Sequence, residues 1–183
     1  GMPVTTSHCS NNYGPYQFPE KLIPVRLVQA LRGGTLPVYG QGENIRDWLF
    51  VHDHCRALSA IIGLGRIGER YNIGGNDEWR NIDIARHLCA LLDERFRADP
   101  RLRARYPQCP ASRGESVESL IRFVTDRPGH DWRYALDTTK IRSELGFRPR
   151  STFASGMATT VQWYLENEAW WSAILDGSYR VRN

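Results

Sequence analysis

Apolar positions along this chain switch repeatedly between short β-branched runs and helical spacing. The run Pro3 to Cys9 predicts a strand, and Asn11-Asn12-Tyr13-Gly14-Pro15 breaks it as a turn or loop. From Pro19 to Arg32, Leu22, Ile23, Val25, Leu27, Val28 and Leu31 predict an apolar helix stopped by Gly33-Gly34. Pro24 falls in its first turn, where a missing N–H costs little. Leu36 to Tyr39 and Ile45 to Val51 read as short strands around the Gly40-Gln41-Gly42 turn. Asp53 is a suitable N-cap for a helix through Ala57, Leu58, Ile61 and Ile62.

Arg70 to Ile73 predicts a further strand, and Asn81 an N-cap for a helix carrying Ile84, Leu88, Leu91 and Leu92. Residues 95–119 are polar and Arg-rich, and read as a long surface loop or weak helix. Leu120 to Thr125 returns as a strand. Thr138 caps a short helix ending at Gly146, and Thr152 precedes a final helix carrying Val161, Trp163, Tyr164 and Leu165. Short strands mixed with helices indicate an α/β fold.

Composition narrows the function classes. The 183 residues are 41% hydrophobic and 11% aromatic, enough for a core and too apolar for a disordered chain. No apolar run is long enough for a membrane span. Gly1-Met2 reads as an expression scar before a chain that begins mid-strand. The four cysteines, Cys9, Cys55, Cys89 and Cys109, form no C-x-x-C pair and point to a reducing compartment. The net charge is +4, carried by Arg except at Lys21 and Lys140. The densest basic run, Arg95 to Arg105, is diluted by Asp93, Glu94 and Asp99 and lacks aromatic interleaving, so nucleic acid is disfavoured as a partner.

Gly63-Leu-Gly65-Arg-Ile-Gly68 matches the dinucleotide fingerprint in letters only, because a predicted helix enters it and a strand leaves. Its glycines suit a helix end and a tight turn. His52-Asp53-His54-Cys55 cannot close a tetrahedral metal site, and no metal is expected. No G-x-S-x-G elbow is present. Asn11 and Asn12 follow a strand, where α/β folds place ligand contacts, although Asx turns are the preferred reading of this segment taken alone. Lys21 at a helix start is poorly placed unless an anion is near or solvent covers it. Arg46 is either an ion-pair partner of Asp47 or a phosphate ligand. Asp126-Arg127-Pro128-Gly129-His130-Asp131 is a charged turn after a strand. Lys21, Arg46 and Arg127 would suit a diphosphate if they converge.

Residues 10–24 (SNNYGPYQFPEKLIP) resemble the signature of dTDP-glucose 4,6-dehydratases. So do Pro37-Val38-Tyr39-Gly40, Asn44 to Leu49, Tyr71-Asn72-Ile73-Gly74-Gly75 and Asp126 to Asp131. The resemblance spans almost the whole chain. It implies the C-terminal substrate domain of an extended short-chain dehydrogenase/reductase, with residues 1–16 a remnant of the NAD-binding domain and 17–183 binding a nucleotide sugar. Most of the Rossmann domain is expected to lie outside the chain.

On this resemblance Asn11 contacts the sugar nucleotide and Asn12 contacts NAD. Lys21, Leu22, Pro37, Val38, Tyr39, Arg46 and Asn81 match substrate-pocket positions. Asp126, Arg127, Pro128, Gly129 and His130 line the nucleotide and diphosphate, with Tyr39 offering a ring to the base. The implied partner is a nucleoside-diphosphate sugar, dTDP-glucose, and the implied parent is a cytoplasmic homodimer. The implied reaction takes hydride from C4 to NAD, loses water from C5 and C6, and returns hydride to C6. The dinucleotide loop, the Tyr-x-x-x-Lys pair and the Thr-Asp-Glu segment of these enzymes are absent from the 183 residues, so no catalytic residue is assigned and the chain is expected to bind without turnover. A relative acting on another nucleotide sugar and a stand-alone sugar-nucleotide module remain open alternatives.

Overall fold

The computed structural model describes residues 1–180. Strand β1 (Thr6–Cys9) lies parallel to β5 (Arg70–Ile73), pairing Thr6 with Arg70 and Cys9 with Ile73. Strand β4 (Ile45–Phe50) is the hub of a second sheet. Its C-terminal half pairs in parallel with β2 (Asn11–Tyr13), and its first half takes β6 (Glu78–Arg80) antiparallel and β8 (Arg133–Tyr134) parallel. A third, two-stranded sheet pairs β3 (Leu36–Tyr39) in parallel with β7 (Ile121–Val124). The parallel pairs and the helices between them give the α/β class expected from the sequence.

Helix α1 (Leu22–Leu31) buries Ile23, Leu27, Val28 and Leu31 on one face, and Pro24 sits in its first turn. Full burial of each such side chain contributes about 1.5–3 kcal/mol. The principal core joins that face to Tyr13, Trp48 and Phe50, to Leu88 and Leu92 of α3 (Asn81–Ala98), and to Phe153 and Val161 of α6 (Phe153–Glu166). A smaller core lies under α2 (Val51–Leu64), where Ala57 and Ile61 meet Tyr71, Ile73 and Ile141 of α5 (Thr139–Leu145).

Several local expectations are corrected. Asn11–Tyr13 is a strand rather than a turn, because β4 offers it a parallel edge and Tyr13 fills the core. Helix α2 begins at Val51, so Asp53 is not its N-cap. Instead the Asp53 carboxylate accepts main-chain N–H bonds from Arg150 (3.1 Å) and Ser151 (2.9 Å). Asn81 is the first residue of α3, preceded by Arg80 at the cap, and makes no side-chain capping bond. Thr138 does cap α5 by position, but its hydroxyl donates to Asn76 instead.

Residues 95–119 keep a mostly exposed, partly helical surface as expected, but they also feed the core. Helix α3 continues to Ala98, α4 covers Arg101–Arg105, and two 3₁₀ turns follow at Pro110–Arg113 and Val117–Leu120. Leu102, Tyr106, Cys109, Ala111 and Val117 enter the main core as single apolar side chains at irregular spacing, which no periodic pattern announces. The final helical stretch is also two helices, since α7 (Glu168–Leu175) follows α6 after Asn167 and buries Trp171. The capping box of Thr152 and Ser155 opens α6 as its position suggests. Gly65 and Gly68 lie between the end of α2 and the start of β5, the helix-to-strand direction expected for them. All four cysteines are free, and no described helix is long and apolar enough to cross a membrane.

Candidate functional site

One end of β3 and the start of β4 are bridged by the turn 126–131. Gly40 N–H donates to Val124 O (2.9 Å), which brings Tyr39 to the C-terminal end of β7, where the turn begins. Its far side is tied to β4: Ile45 N–H donates to Trp132 O, and both the Asn44 amide (3.2 Å) and the Arg46 guanidinium (2.9 Å) donate to Asp131 O. Within it, the Asp126 carboxylate accepts from Arg127 N–H and contacts His130 Nδ1, each at 2.8 Å. The His130 contact chiefly holds Asp126 below the usual carboxylate range. His130 meets the exposed Tyr39 ring edge-on at 6.3 Å between centroids.

Tyr39, Arg46, Asp126 and His130 thus belong to one contact network, with exposed Arg127, Pro128 and Gly129 at its rim. Gly129 has φ +69, the left-handed backbone that lets this turn reverse without a strained side chain. Arg46 and Asp47 are not an ion pair, because adjacent strand residues face opposite ways. Asp47 turns inward and accepts from Gly75 N–H (3.0 Å) and Asp77 N–H (2.9 Å). Burial raises the Asp47 carboxyl above its ordinary value, against those two bonds and a third from the Ser10 side chain.

Pro37, Val38 and Asn81 join this network through a residue the sequence reading missed. Arg26 is buried in α1 and donates to Asn81 O and Pro37 O, both at 3.1 Å. Burial lowers its pKa to about 10, and no carboxylate faces it among the described residues. A lone arginine inside the apolar run Val25 to Val28 was the available signal. Val38 is fully buried, packing its side chain against Ile82 and Ala85 while its main chain lies in the ladder with β7. Asn81 keeps a buried Oδ1 without a hydrogen-bond partner.

Lys21 stands apart. It precedes α1 as an exposed side chain and pairs with Glu20 at 2.7 Å, and no contact links it to Arg46 or Arg127. Leu22 is half-buried against the main core. Asn11 and Asn12 lie on β2, where the Asn12 amide donates to Ser10 O (3.0 Å) and leaves Oδ1 buried and unpartnered. Gln17 Oε1 is likewise buried without a partner. Two such orphaned oxygens, on Asn12 and Gln17, are costly unless something else satisfies them. Tyr13 beside them is structural: burial raises its pKa, and its hydroxyl donates to Phe153 O (3.1 Å). Among the described residues no cluster of His, Cys, Asp or Glu is arranged to hold a metal.

Residues 1–160 match the model of a family described as GDP-mannose 4,6 dehydratase. A dTDP-glucose 4,6-dehydratase of Xanthomonas campestris pv. campestris is 52% identical over 181 residues, covering 99% of this chain and 48% of that protein. The crystal structure of a dTDP-glucose 4,6-dehydratase from Bacillus anthracis, in complex with NAD, superposes with a TM-score of 0.77 at 44% identity, over 94% of this chain and 48% of that one. A Streptomyces venezuelae dTDP-glucose 4,6-dehydratase with NAD and TYD bound gives 0.75 at 43% identity, over 94% and 47%. The chain therefore spans about half the length of the relatives it matches.

Proposed function

The chain belongs to the family described as GDP-mannose 4,6 dehydratase, and from that membership we propose that it is the substrate-binding portion of a dTDP-glucose 4,6-dehydratase, converting dTDP-glucose to dTDP-4-keto-6-deoxyglucose and water in the complete enzyme. The observation that carries the reading is the Arg46–Asp131, Asp126–His130 and His130–Tyr39 network, a forked cation, a polar turn and an open aromatic ring in one place.

In this proposal Tyr39 stacks on the base, Arg46 and Arg127 bind the diphosphate, and Asp126, Pro128, Gly129 and His130 line the nucleotide. Pro37, Val38, Leu22 and Asn81 shape the pocket, while Asn11 and Lys21 reach the sugar nucleotide from β2 and the start of α1. Residues 1–16 would form part of the cofactor-binding domain, and 17–183 the nucleotide-sugar domain. The parent would be a cytoplasmic homodimer. The buried Oδ1 of Asn12 fits a contact to NAD, since a carboxamide N–H of that cofactor would satisfy it. NAD, when bound, supplies reversible hydride acceptance. These residues bind, orient and exclude water, and proton transfer is assigned to none of them.

Calorimetric titration of dTDP-glucose, dTDP and UDP-glucose tests the reading. Arg46→Ala should weaken dTDP-glucose binding by about 1.5–3 kcal/mol, the worth of a charge-assisted hydrogen bond. Arg46→Lys should also weaken it, because the planar fork is lost. Arg103, exposed on α4, is the control. Equal binding by folded Arg46→Ala and Arg103→Ala proteins would overturn the diphosphate role.

A further inference from the structure

A cleft of about 520 Å³ opens between the 74–77 turn and the 147–152 segment, sharing no lining residue with Tyr39, Arg46 or the 126–130 turn. Its volume is that of a small-molecule site. Arg142 comes to it from α5, and Arg148 and Arg150 from the segment before α6. All three are exposed, and among the described residues none is paired with a carboxylate. Elsewhere on the surface Arg80, Arg101, Arg105 and Arg133 each have such a partner within 2.8 Å. The only carboxylate lining the cleft, Asp77, already accepts from Trp79 Nε1 (2.7 Å) and Phe153 N–H (2.6 Å).

Both walls are held from behind. Asp47 accepts from Gly75 N–H and Asp77 N–H, while Asp53 accepts from Arg150 N–H and Ser151 N–H. A Cβ on Gly75 would stand 1.7 Å from Trp48 O, so β4 lies directly beneath this floor. Asn76 holds φ +52, a costly conformation for a side-chain-bearing residue, and its Oδ1 accepts from the Thr138 hydroxyl at 3.0 Å. That bond orients the carboxamide and leaves its NH₂ as a donor at the cleft. Thr152, the cap of α6, lies at the rim, and the helix start behind it is already closed by its capping box and by Asp77.

We propose that this cleft is a second ligand site, taking a small anion that carries phosphate groups. Three guanidiniums outside any ion pair and one oriented amide match the many acceptor oxygens of a phosphate ester or pyrophosphate.

The test uses an Arg46→Ala, Arg127→Ala background, which removes the proposed nucleotide-sugar site. Pyrophosphate and glucose 1-phosphate are titrated at low salt, where surface charge is least screened, with calorimetry and the Gly74 and Gly75 amide resonances as readouts. Both resonances should shift on binding. Adding Arg148→Ala and Arg150→Ala should weaken binding by about tenfold or more, and adding Arg103→Ala should leave it unchanged. The cleft arginines make no side-chain hydrogen bond among the described residues, so these variants should keep the fold. Equal affinity for the two ligands would assign recognition to phosphate alone, and tighter glucose 1-phosphate would assign it to a sugar phosphate. Absence of binding, or binding indifferent to Arg148 and Arg150, overturns the proposal.

Discussion

Arg26 is a buried guanidinium answered only by carbonyl oxygens, those of Pro37 and Asn81. Replacing it with Met keeps the volume and strands both acceptors. Arg26→Met should lower unfolding stability by about 1–3 kcal/mol in urea titration and also weaken dTDP-glucose binding, since its partners lie in the proposed pocket. Asp53 sets a pH dependence. Burial pushes its carboxyl up, but the Ser151 and Arg150 N–H groups and the Arg56 guanidinium outweigh that and hold it below its ordinary 3.8. A depressed native value stabilises the fold above 3.8, and that contribution disappears as pH falls through the native value. The Asp53→Asn protein should therefore be less stable near neutrality and lose less stability on acidification, measured by urea midpoints across pH. Asp47 runs the other way. Its raised value favours the fold in acid, and that contribution is lost as pH rises through the native value.

At the scale of elements, close approach governs β4 and its neighbours. Gly156 on α6 faces Tyr13, and an added Cβ would lie 2.3 Å from the Tyr13 hydroxyl and 2.9 Å from the Phe50 ring. Gly156→Ala should destabilise by about 1–3 kcal/mol, the usual cost of overpacking, and shift the near-ultraviolet signal of the Tyr13–Phe50–Phe153 aromatic group. The 101–120 segment sends single apolar side chains into the core, so Leu102→Ala should cost about 2–5 kcal/mol. Arg103→Ala, one residue along and exposed, should stay within about 0.5 kcal/mol of wild type. Equal stabilities for the two would contradict the burial of Leu102.

For the molecule as a whole, a polypeptide of these 183 residues should bind nucleotide sugar without turning it over. It contains no Tyr-x-x-x-Lys pair and no dinucleotide fingerprint entered by a strand. An assay for the 4-keto product should stay at the buffer rate. NAD titration should give weak or no binding, and Gly65→Ala should not alter it, because Gly65 closes a helix rather than opening one. Turnover by this polypeptide, or tight NAD binding lost on changing Gly65, would reverse that reading.

Periodicity and punctuation in the sequence determined most of the elements: α1 with Pro24 in its first turn, β3, β5, the start of α6 after Thr152, and the direction that disqualified the Gly63–Gly68 motif. Their causes are local, acting through backbone sterics and hydrogen bonds between near neighbours. The motifs also carried the family. Tertiary structure alone decided where polar groups found partners. Asp53 left its capping role because a loop almost a hundred residues away offered two N–H groups. Arg46 turned from its neighbour Asp47 because the pleat sent one outward to Asp131 and the other inward to Gly75 and Asp77. Leu102, Tyr106, Cys109, Ala111 and Val117 joined the core because isolated apolar side chains met α3 and α6, a match of shape that no spacing encodes. Hydrogen bonds and packing between distant segments depend on which surfaces the fold brings together, and that juxtaposition is a property of the folded chain, not of any stretch of it.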